Sequence, residues 1–429
     1  MNKDMNNILK QTIAGMRQQP LITALTVIGT ALAICLIMIV MMTREVQIAD
    51  YGAEPNRSRT LYVLQARIKS DGMEYINGGI KMEAVNAIFM KMNTPELVVT
   101  YNQYPCALET RVPGGDIVSL KVKPTGYGFF SMFSLDFIEG KPFTKEECSS
   151  DMPIAIISQS ACRKLFGKDS GVKGKSFNIA NHEYRVAGVV EDVSQMLFNA
   201  TADIWVPMSL NPRNHPLYGK LGLDGCSVAL LAKSVNDFPK IRQETKRLLA
   251  AYNKTTVPDT LDFIGGPYDV EMSRNIYADW SDENTDLADV HLRYMLIFAI
   301  LLIVPAINIA SMTQSQLRRR EAEIGVRRAF GAKRSTIMMQ TFMESLVQTI
   351  AAGVLGLLLC FGVCFLLADY IFKTDDWWEP TKGISIDMGI LFSPEIYCWA
   401  MFFCFILNVL SAIIPAWRAS RCNIVEALK

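Results

Sequence analysis

The stretch GVKGKS, residues 171–176, ends in the Gly-Lys-Ser triplet of a phosphate-binding loop. Such a loop also needs a glycine five residues before Gly174, so that backbone N–H groups can point at a phosphate; Asp169 occupies that position. The loop should in addition open a helix, whose N-terminus binds the phosphate, whereas the following FNIANHEYRV alternates like a strand. The sequence therefore predicts a turn between strands here, and no nucleotide site.

Histidines and serines offer no other catalytic arrangement. His182, His215 and His291 have no spacing that would place two of them on one helix face as metal ligands. Serines are plentiful, but none stands in the strand-to-helix turn that exposes a nucleophile. We expect neither metal catalysis nor nucleophilic catalysis from this chain.

Nine of the ten cysteines fall into two groups, and the tenth, Cys422, lies near the C-terminal end of the sequence. Cys360 and Cys364 belong to the group in apolar segments, and their spacing places both on one helix face, which is ordinary for small, polarizable packing residues. The second group is even in number, which permits up to two disulfides in an oxidising compartment but does not identify the pairs. It consists of Cys106, Cys148, Cys162 and Cys226.

The elements that surround these residues indicate a membrane protein. Half of the 429 residues are hydrophobic, and the net charge of +1 provides no polycation for nucleic acid. About 20 apolar residues suffice for a transmembrane helix, and four segments reach that length: 21–43, 291–314, 341–371 and 395–417. The first also resembles a signal peptide, but its apolar run exceeds the usual length of about 7–15 residues and no small-residue cleavage site follows. We therefore expect an uncleaved anchor.

Lys and Arg near the membrane ends predict the topology, because they remain on the cytoplasmic side. Basic clusters precede the first span, follow the second and follow the fourth, whereas the remaining connections are acidic. All three clusters require the same side, so both termini are predicted to be cytoplasmic. The segments outside the membrane are then residues 1–20, 315–340 and 418–429 in the cytoplasm, and residues 44–290 and 372–394 on the exported side.

Residues 44–290 are numerous enough to bury a core of their own. Alternating or apolar runs predict strands, and helical periodicity predicts two helices. Their irregular alternation favours an α+β domain over a β-sandwich. The predicted strands are 60–68, 96–104, 153–158, a hairpin over 176–192, 202–208 and 227–234, and the predicted helices are 78–93 and 237–254.

The cytoplasmic connection contains a charged stretch, RRREAEIGVRRAFGAKRS, at residues 318–335. As a helix, residues 320–330 would separate an apolar face from a charged face, and Gly331 would end the helix in the left-handed conformation. Such a helix either rests on lipid head groups or docks into a partner, and its small residues favour docking. The apolar face comprises Ala322, Val326, Ala329 and Phe330, and the charged face Arg320, Glu323 and Arg327.

Residues 320–346, REAEIGVRRAFGAKRSTIMMQTFMESL, resemble the signature of the MacB and FtsX-like family of ABC transporter permeases. That signature has the form R-E-I-G-x-R-x-A-x-G-A and is followed by a glutamate in the next span, here Glu344. The runs at 122–143, 154–177 and 184–193 are similar to the family's periplasmic core domain, and residues 413–429 are similar to its closing motif. The closing motif departs at Asn423, where proline is usual, and at Lys429, where arginine is usual.

The resemblance implies a membrane protein with four transmembrane α-helices, one before and three after a large α+β periplasmic domain, in the bacterial inner membrane. Residues 291–429 would form the FtsX-like permease domain. The cytoplasmic helix would be a coupling helix, seated in a groove of a separate ABC ATPase subunit. By position, its contacts would be Arg320, Ala322, Glu323, Gly325, Arg327, Arg328, Ala329 and Gly331.

The same resemblance implies the partners. ATP and Mg would be bound by the partner ATPase, so that this chain holds no cofactor and is itself no enzyme. A second permease chain, identical or different, would complete the complex in the lipid bilayer, together with a periplasmic adaptor or outer-membrane channel; no nucleic acid is expected.

Three functions stay open. The foremost is efflux or extrusion of a peptide, drug or lipid-linked substrate. The second is an FtsX-like regulator that transports nothing and activates an envelope partner such as a cell-wall hydrolase; the large exported domain counts against it. The third is a membrane sensor, against which the lack of a sizeable cytoplasmic output domain counts.

Overall fold

The structure is a computed structural model that describes residues 20–50, 52–70, 72–77, 79–194, 197–210, 226–263, 266–273, 287–319 and 334–367, together with 326, 330, 394, 397–403 and 405–406. The chain divides into two compact units. The helical unit comprises Met1–Glu45, Asp286–Lys373 and Ile386–Lys429, and the sheet unit comprises Val46–Thr285 and Thr374–Ser385.

The longer elements of the described residues are as follows. The helices are α1 (Pro20–Ile48), α2 (Met82–Ile88), α3 (Phe129–Met132), α4 (Lys145–Ser149), α5 (Gln159–Phe166), α6 (Phe238–Asn253), α7 (Leu287–Arg319) and α8 (Arg334–Leu366). The strands are β1 (Thr60–Val63), β2 (Ala66–Ser70), β3 (Met73–Asn77), β4 (Leu97–Asn102), β5 (Cys106–Arg111), β6 (Val118–Thr125), β7 (Phe137–Gly140), β8 (Ile154–Ser158), β9 (Ser176–Ile179), β10 (His182–Val190), β11 (Ile204–Pro207), β12 (Cys226–Leu231) and β13 (Thr260–Asp262).

Among the residues that the structure describes, two helices are long and apolar enough to cross a membrane: Pro20–Val46 within α1 and Phe342–Leu366 within α8. The first covers the predicted span at 21–43, and the second covers residues 342–366 of the predicted span at 341–371. The predicted second span lies within the continuous helix α7. Of the predicted fourth span, the structure describes residues 397–403 and 405–406, and all of these are helical.

Helices α1 and α8 pack side by side within the helical unit. A Cβ atom on Gly356 of α8 would lie 2.8 Å from the Ala31 carbonyl oxygen and 3.1 Å from the Ile34 Cβ of α1. One turn further along α8, the Cys360 Sγ lies 3.6 Å from the Met42 Sδ. Because the residue numbers rise together along both helices, α1 and α8 run parallel. Two spans that begin on the same side of a membrane have this relation.

The sheet unit is built on a ten-stranded mixed sheet in the order β1-β12-β4-β6-β11-β8-β10-β9-β5, with β7 paired to β10. Strand β5 also pairs with β6, so that β6, β11, β8, β10, β9 and β5 close on themselves as a barrel. A second sheet has the order β13-β2-β3. Closure gives each of the six barrel strands a partner on both sides, so that none of them is a free edge strand.

Apolar side chains from both faces of the large sheet form the cores of the sheet unit. The barrel is filled by aliphatic residues such as Leu120, Val122 and Ile157. Helices α2 and α6 cover one face of the sheet with residues such as Val85 and Ile241. The opposite face carries an aromatic core that includes Tyr101, Phe129, Phe130, Phe133 and Trp205.

The mixed α and β character of this unit agrees with the sequence-based expectation, and most predicted elements are present. Strands occur within 96–104, 153–158, 202–208 and 227–234, the hairpin over 176–192 is formed by β9 and β10, and helices occur within 78–93 and 237–254. The single strand predicted over 60–68 is wrong, because the run is divided at residues 64–65. Its first half pairs with β12 in the large sheet, and its second half pairs with β3 and β13 in the small one.

The stretch at 171–176 is a turn that leads into strand β9, as its pattern predicts. The Glu139 carboxylate accepts hydrogen bonds from the backbone N–H groups of Gly171, Val172 and Lys173, at 3.1, 2.9 and 3.0 Å. Backbone N–H groups of the kind that would bind a phosphate are thus used by a carboxylate of the same chain.

A substitution at Gly140 tests how tightly β7 packs on β10. Its φ is +86°, and a Cβ there would collide with the carbonyl oxygen of Ala187. Gly140→Ala is expected to lower the free energy of unfolding of the sheet unit by about 1–2 kcal/mol for the left-handed backbone and by about 1–3 kcal/mol more for the collision. Urea unfolding followed by tryptophan fluorescence measures the change.

Gly114→Ala is the matched control, because Gly114 has a similar φ of +77° and no atom within 4 Å of the added Cβ. It should lose only the backbone contribution. Equal losses in the two variants would contradict the close packing of β7 on β10.

Candidate functional site

All eight residues of the predicted ATPase contact lie outside the described residues. Within the charged stretch, the structure describes Val326 and Phe330. The Phe330 N–H donates to the Val326 carbonyl oxygen at 3.1 Å, which is the bond of one helical turn. Both side chains are exposed, Phe330 to 89%. The predicted contacts outside the described residues are Arg320, Ala322, Glu323, Gly325, Arg327, Arg328, Ala329 and Gly331.

A buried ion pair follows the end of α1 in the sheet unit. Arg57 and Glu54 are 1% and 2% exposed, and the Arg57 Nε donates to the Glu54 Oε2. Removing two charges from water costs several kcal/mol for each ion, and the pair is tolerated only where further hydrogen bonds satisfy the remaining atoms. The partners of these remaining atoms therefore show what the pair holds together.

Arg57 binds the C-terminal end of α1. Its Nη1 donates to the carbonyl oxygens of Val46, at 2.8 Å, and of Ala49, at 3.3 Å. The last carbonyls of a helix have no partner within the helix and carry partial negative charge. The guanidinium satisfies them and fixes the position of the helix end relative to residue 57.

Glu54 binds a loop that is distant in sequence. Its Oε1 accepts hydrogen bonds from the backbone N–H groups of Asn199, at 3.0 Å, and Ala200, at 3.1 Å. The carboxylate therefore uses one oxygen for Arg57 and the other for the loop. Through this one side chain, the loop at 197–201 is attached to the guanidinium that holds α1.

Lys123 of β6 attaches the same loop to the barrel. Its side chain is fully buried, and its Nζ donates to the carbonyl oxygens of Phe198, at 3.1 Å, and Asn199, at 2.9 Å. The ammonium group also lies 5.9 Å from the centre of the Tyr101 ring, a favourable cation–π distance. The Tyr101 hydroxyl donates to the Asn199 Oδ1 at 3.1 Å.

Trp205 of β11 completes the attachment, since its Nε1 donates to the Ala200 carbonyl oxygen at 3.1 Å. The N–H groups of residues 199 and 200 are thus bound from the side of α1, and carbonyl oxygens of residues 198–200 are bound from the strands. We call this set the junction network. It consists of Glu54, Arg57, Tyr101, Lys123, Asn199, Ala200 and Trp205.

The junction network holds the end of α1, the loop at 197–201 and strands β6 and β11 together. Hydrogen bonds to charged groups contribute about 1.5–3 kcal/mol each, and in the buried network water cannot replace them. A shift of the end of α1 must therefore break several such bonds or carry the loop and strands β6 and β11 with it. The arrangement consists of buried hydrogen bonds and one ion pair, and it suggests a structural connection and no catalytic step.

The local pattern does not mark these residues as buried. Glu54 and Arg57 stand in AEPNRSR, just after an apolar span, where charges are usually solvated. Lys123 alternates with apolar neighbours in LKVKP, which is typical of a solvent-facing strand position. The only sequence signal for the buried pair is that Glu54 and Arg57 stand three residues apart outside a helical pattern, and this signal is weak.

The four cysteines of the sheet unit carry thiols and no disulfide. Cys162 and Cys226 are buried, and Cys106 and Cys148 are half-buried. Burial, followed by the neighbouring Glu147 carboxylate, raises the pKa of the Cys148 thiol to about 11. The thiolate needed for disulfide exchange is therefore scarce at neutral pH. Within the described ranges, no three His, Cys, Asp or Glu side chains are placed to hold a metal ion.

Comparison with known proteins defines the class of protein to which this fold belongs. Residues 23–248 match the MacB-like periplasmic core domain, and residues 295–424 match the FtsX-like permease C-terminal domain. Together they define a membrane permease with a periplasmic domain. The chain belongs to the MacB/FtsX-like family of ABC transporter permeases, as its signature stretch predicts.

Two curated relatives are the macrolide export ATP-binding/permease proteins MacB of Burkholderia pseudomallei (strain 1710b) and Escherichia coli (strain K12). Each is 24% identical to this chain, over 320 and 301 residues, which are 72% and 70% of this chain and 43% and 42% of those proteins. The chain thus spans less than half the length of these relatives. The periplasmic region of MacB from Actinobacillus actinomycetemcomitans is a similar solved structure, with 15% identity, a TM-score of 0.38 and coverage of 52% of this chain and 94% of that one.

Arg57→Met tests the junction network. The change leaves the Glu54 carboxylate buried without its charge partner, which is expected to lower the free energy of unfolding of the sheet unit by about 3–5 kcal/mol. The carbonyl oxygens of Val46 and Ala49 also lose their donor. Urea unfolding of the full chain in detergent measures the loss.

Arg59→Met is the matched control, two residues away. Arg59 pairs with Glu96 at 2.8 Å at the surface, where the side chains are 32% and 47% exposed. Such pairs contribute about 0–1 kcal/mol. If the two variants lose similar stability, Arg57 is not the buried joint described above.

Proposed function

We propose that this chain is the permease subunit of an ABC transporter, which transmits the ATP-driven motion of a separate ATPase subunit to its periplasmic domain. The observation that carries the proposal is the junction network, which ties the end of an apolar, membrane-length helix to the strands of the sheet unit by buried, charge-assisted hydrogen bonds. A domain tethered only for localisation has no need of such a joint.

The proposed topology has four spans, at 21–43, 291–314, 341–371 and 395–417, in the bacterial inner membrane. Both termini lie in the cytoplasm, residues 44–290 lie in the periplasm, and residues 315–340 return to the cytoplasm. The basic clusters and the parallel packing of α1 and α8 support this arrangement.

The cytoplasmic segment at 320–331 docks on the ATPase, which binds ATP and Mg. Its arginines suit an acidic groove, and its small residues permit close approach. Phe330, the most exposed of the large apolar side chains in the described part of the chain, provides an aromatic anchor beside Val326. A second permease chain, identical or different, completes the pair that a dimeric ATPase drives.

The cargo is handled on the periplasmic side and belongs to the class of peptides, drugs or lipid-linked molecules, passed to an adaptor or outer-membrane channel. The relatives' names describe macrolide export by those proteins, which supports an export role here. The match to an FtsX-like permease domain also supports a second candidate, a regulator that uses the same motion to activate an envelope partner. ATP turnover that rises with added cargo would favour transport over regulation.

Variants of the cytoplasmic segment test the docking. Glu323→Lys reverses a charge, Gly325→Trp blocks close approach, and Phe330→Ala removes the anchor. The first two are expected to abolish co-purification of the ATPase with the full chain in detergent. Phe330→Ala is expected to weaken binding about thirtyfold, because an aromatic anchor contributes about 2 kcal/mol.

The control is Lys173→Glu, a charge reversal of equal size in the sheet unit. It should leave ATPase binding and turnover unchanged. Binding of the ATPase to all three segment variants at the native level would show that the stretch is only a topology signal, and the proposed function would lose its basis.

A further inference from the structure

Four sulfur-containing side chains meet where helices α1 and α8 pack together. Cys35 and Met42 lie on α1, and Cys360 and Cys364 lie on α8; all four are at most 4% exposed. The Cys360 thiol is at the centre of the group. Its Sγ lies 3.6 Å from the Met42 Sδ, and it is hydrogen-bonded to the thiols of Cys35 and Cys364. We call this set the sulfur cluster.

The spacing of these residues along the two helices brings the sulfur atoms together. Cys360 and Cys364 are four residues apart, and Cys35 and Met42 are seven residues apart, so that each pair lies on one face of its helix. Gly356, one turn before Cys360, permits a close approach of the helices. A Cβ added to this glycine would lie 2.8 Å from a backbone carbonyl oxygen of α1.

The ligand types of the sulfur cluster select a soft metal ion. Thiolate and thioether sulfur atoms bind Cu(I), whereas a structural zinc site takes four ligands from Cys, His, Asp and Glu. Within the described ranges, no three side chains of those four types are placed to hold a metal ion, so the cluster does not provide a zinc site. The Met42 thioether adds a ligand of the kind that Cu(I) accepts.

Distance and charge both fit one Cu(I) ion. Two sulfur atoms that bind one metal at about 2.3 Å, at the angle of a three-coordinate site, lie about 4 Å apart. The Cys360 Sγ and the Met42 Sδ would have to separate by only about 0.4 Å to reach that distance. A monovalent ion bound to one thiolate is also electrically neutral, whereas a net charge between transmembrane helices is costly.

We propose that the sulfur cluster is a Cu(I) site that bridges α1 and α8. The Cys360 thiol releases its proton to the aqueous phase and binds the ion as a thiolate, and the Met42 thioether and the Cys35 thiol complete the coordination. Copper enters and stays as Cu(I), so that nothing is oxidised or reduced. Cys364 is a positioning residue, whose thiol then donates a hydrogen bond to the Cys360 sulfur. This proposal does not depend on the proposed transport function.

Copper binding is measured on the full chain in detergent. The reduced chain is incubated anaerobically with Cu(I) that is buffered by the chelator bathocuproine disulfonate, and the copper bound to each chain is counted after gel filtration. The incubation is long, because all four side chains are buried. The native chain is expected to hold one copper ion that Cys360→Ser does not hold, with a loss of affinity of at least about a hundredfold.

Met42→Leu is a sharper variant, because it keeps the volume and apolar character of the side chain and removes only the thioether. It is expected to weaken Cu(I) binding at least about tenfold. The matched control is Met41→Leu at the neighbouring, half-buried position of α1, which should leave the affinity unchanged. Cys364→Ser keeps a hydrogen-bond donor and should stay within about threefold of the native affinity, whereas Cys364→Ala should lose about tenfold.

Thermal unfolding provides a second readout that does not depend on counting copper. Because an ion that binds only the folded chain stabilises it, Cu(I) should raise the unfolding temperature of the native chain and of Met41→Leu. The same addition should leave Cys360→Ser and Met42→Leu unchanged. The helical circular dichroism signal follows the unfolding, and the transitions without copper show that each variant is folded.

The outcomes separate a metal site from simple packing. If the native chain and Cys360→Ser hold the same amount of copper with the same affinity, the sulfur atoms only pack against each other and the proposal is wrong. Native affinity in Met42→Leu would also overturn it, because the thioether would then not be a ligand. None of these measurements uses the ATPase, so their failure leaves the proposed function untouched.

Discussion

The ion pair between Arg57 and Glu54 is the interaction on which the junction network of the sheet unit depends. A buried pair of this kind adds little net stability, since desolvation offsets most of the attraction between the charges. Apolar side chains of similar volume would fill the same space as well. They would not fix a direction, whereas the guanidinium and the carboxylate each hold specific backbone groups at hydrogen-bonding distance. The pair therefore defines the position of a helix end relative to a loop.

The loop at 197–201 is held by strands of the closed barrel. Lys123 and Trp205 hold the loop from β6 and β11, two neighbouring strands of the closed barrel. Because each of the barrel strands has a partner on both sides, a displacement applied to one of them is shared among all six. In the helical unit, the contact between Gly356 and Ala31 also fixes two elements relative to each other. Here close steric packing, and not a buried charge pair, holds them in place.

The sequence predicts those features that depend on local pattern. Composition identifies the apolar segments, alternation identifies strands such as β8 and β10, and the signature stretch identifies the family. It fails where a residue's environment is set by distant partners. The local sequence predicts a solvated Glu54, whereas its carboxylate is bound by the backbone N–H of Asn199, 145 residues further along the chain. The run at 60–68 has the pattern of one strand, but its two halves pair in two different sheets. Strand β5, with its exposed Glu109 and Arg111, is recognised only through the pairing that closes the barrel.

The turn at residues 171–173 has a consequence for selectivity. Its three N–H groups donate hydrogen bonds to the Glu139 carboxylate. An occupant that belongs to the same chain has an effective concentration on the order of millimolar or higher, and it cannot diffuse away. A free phosphate or a lipid head group would have to compete with this built-in occupant, and would enter a turn that has nothing further to offer it. The Glu139 carboxylate thus occupies the N–H groups at the stretch whose sequence resembles the end of a phosphate-binding loop.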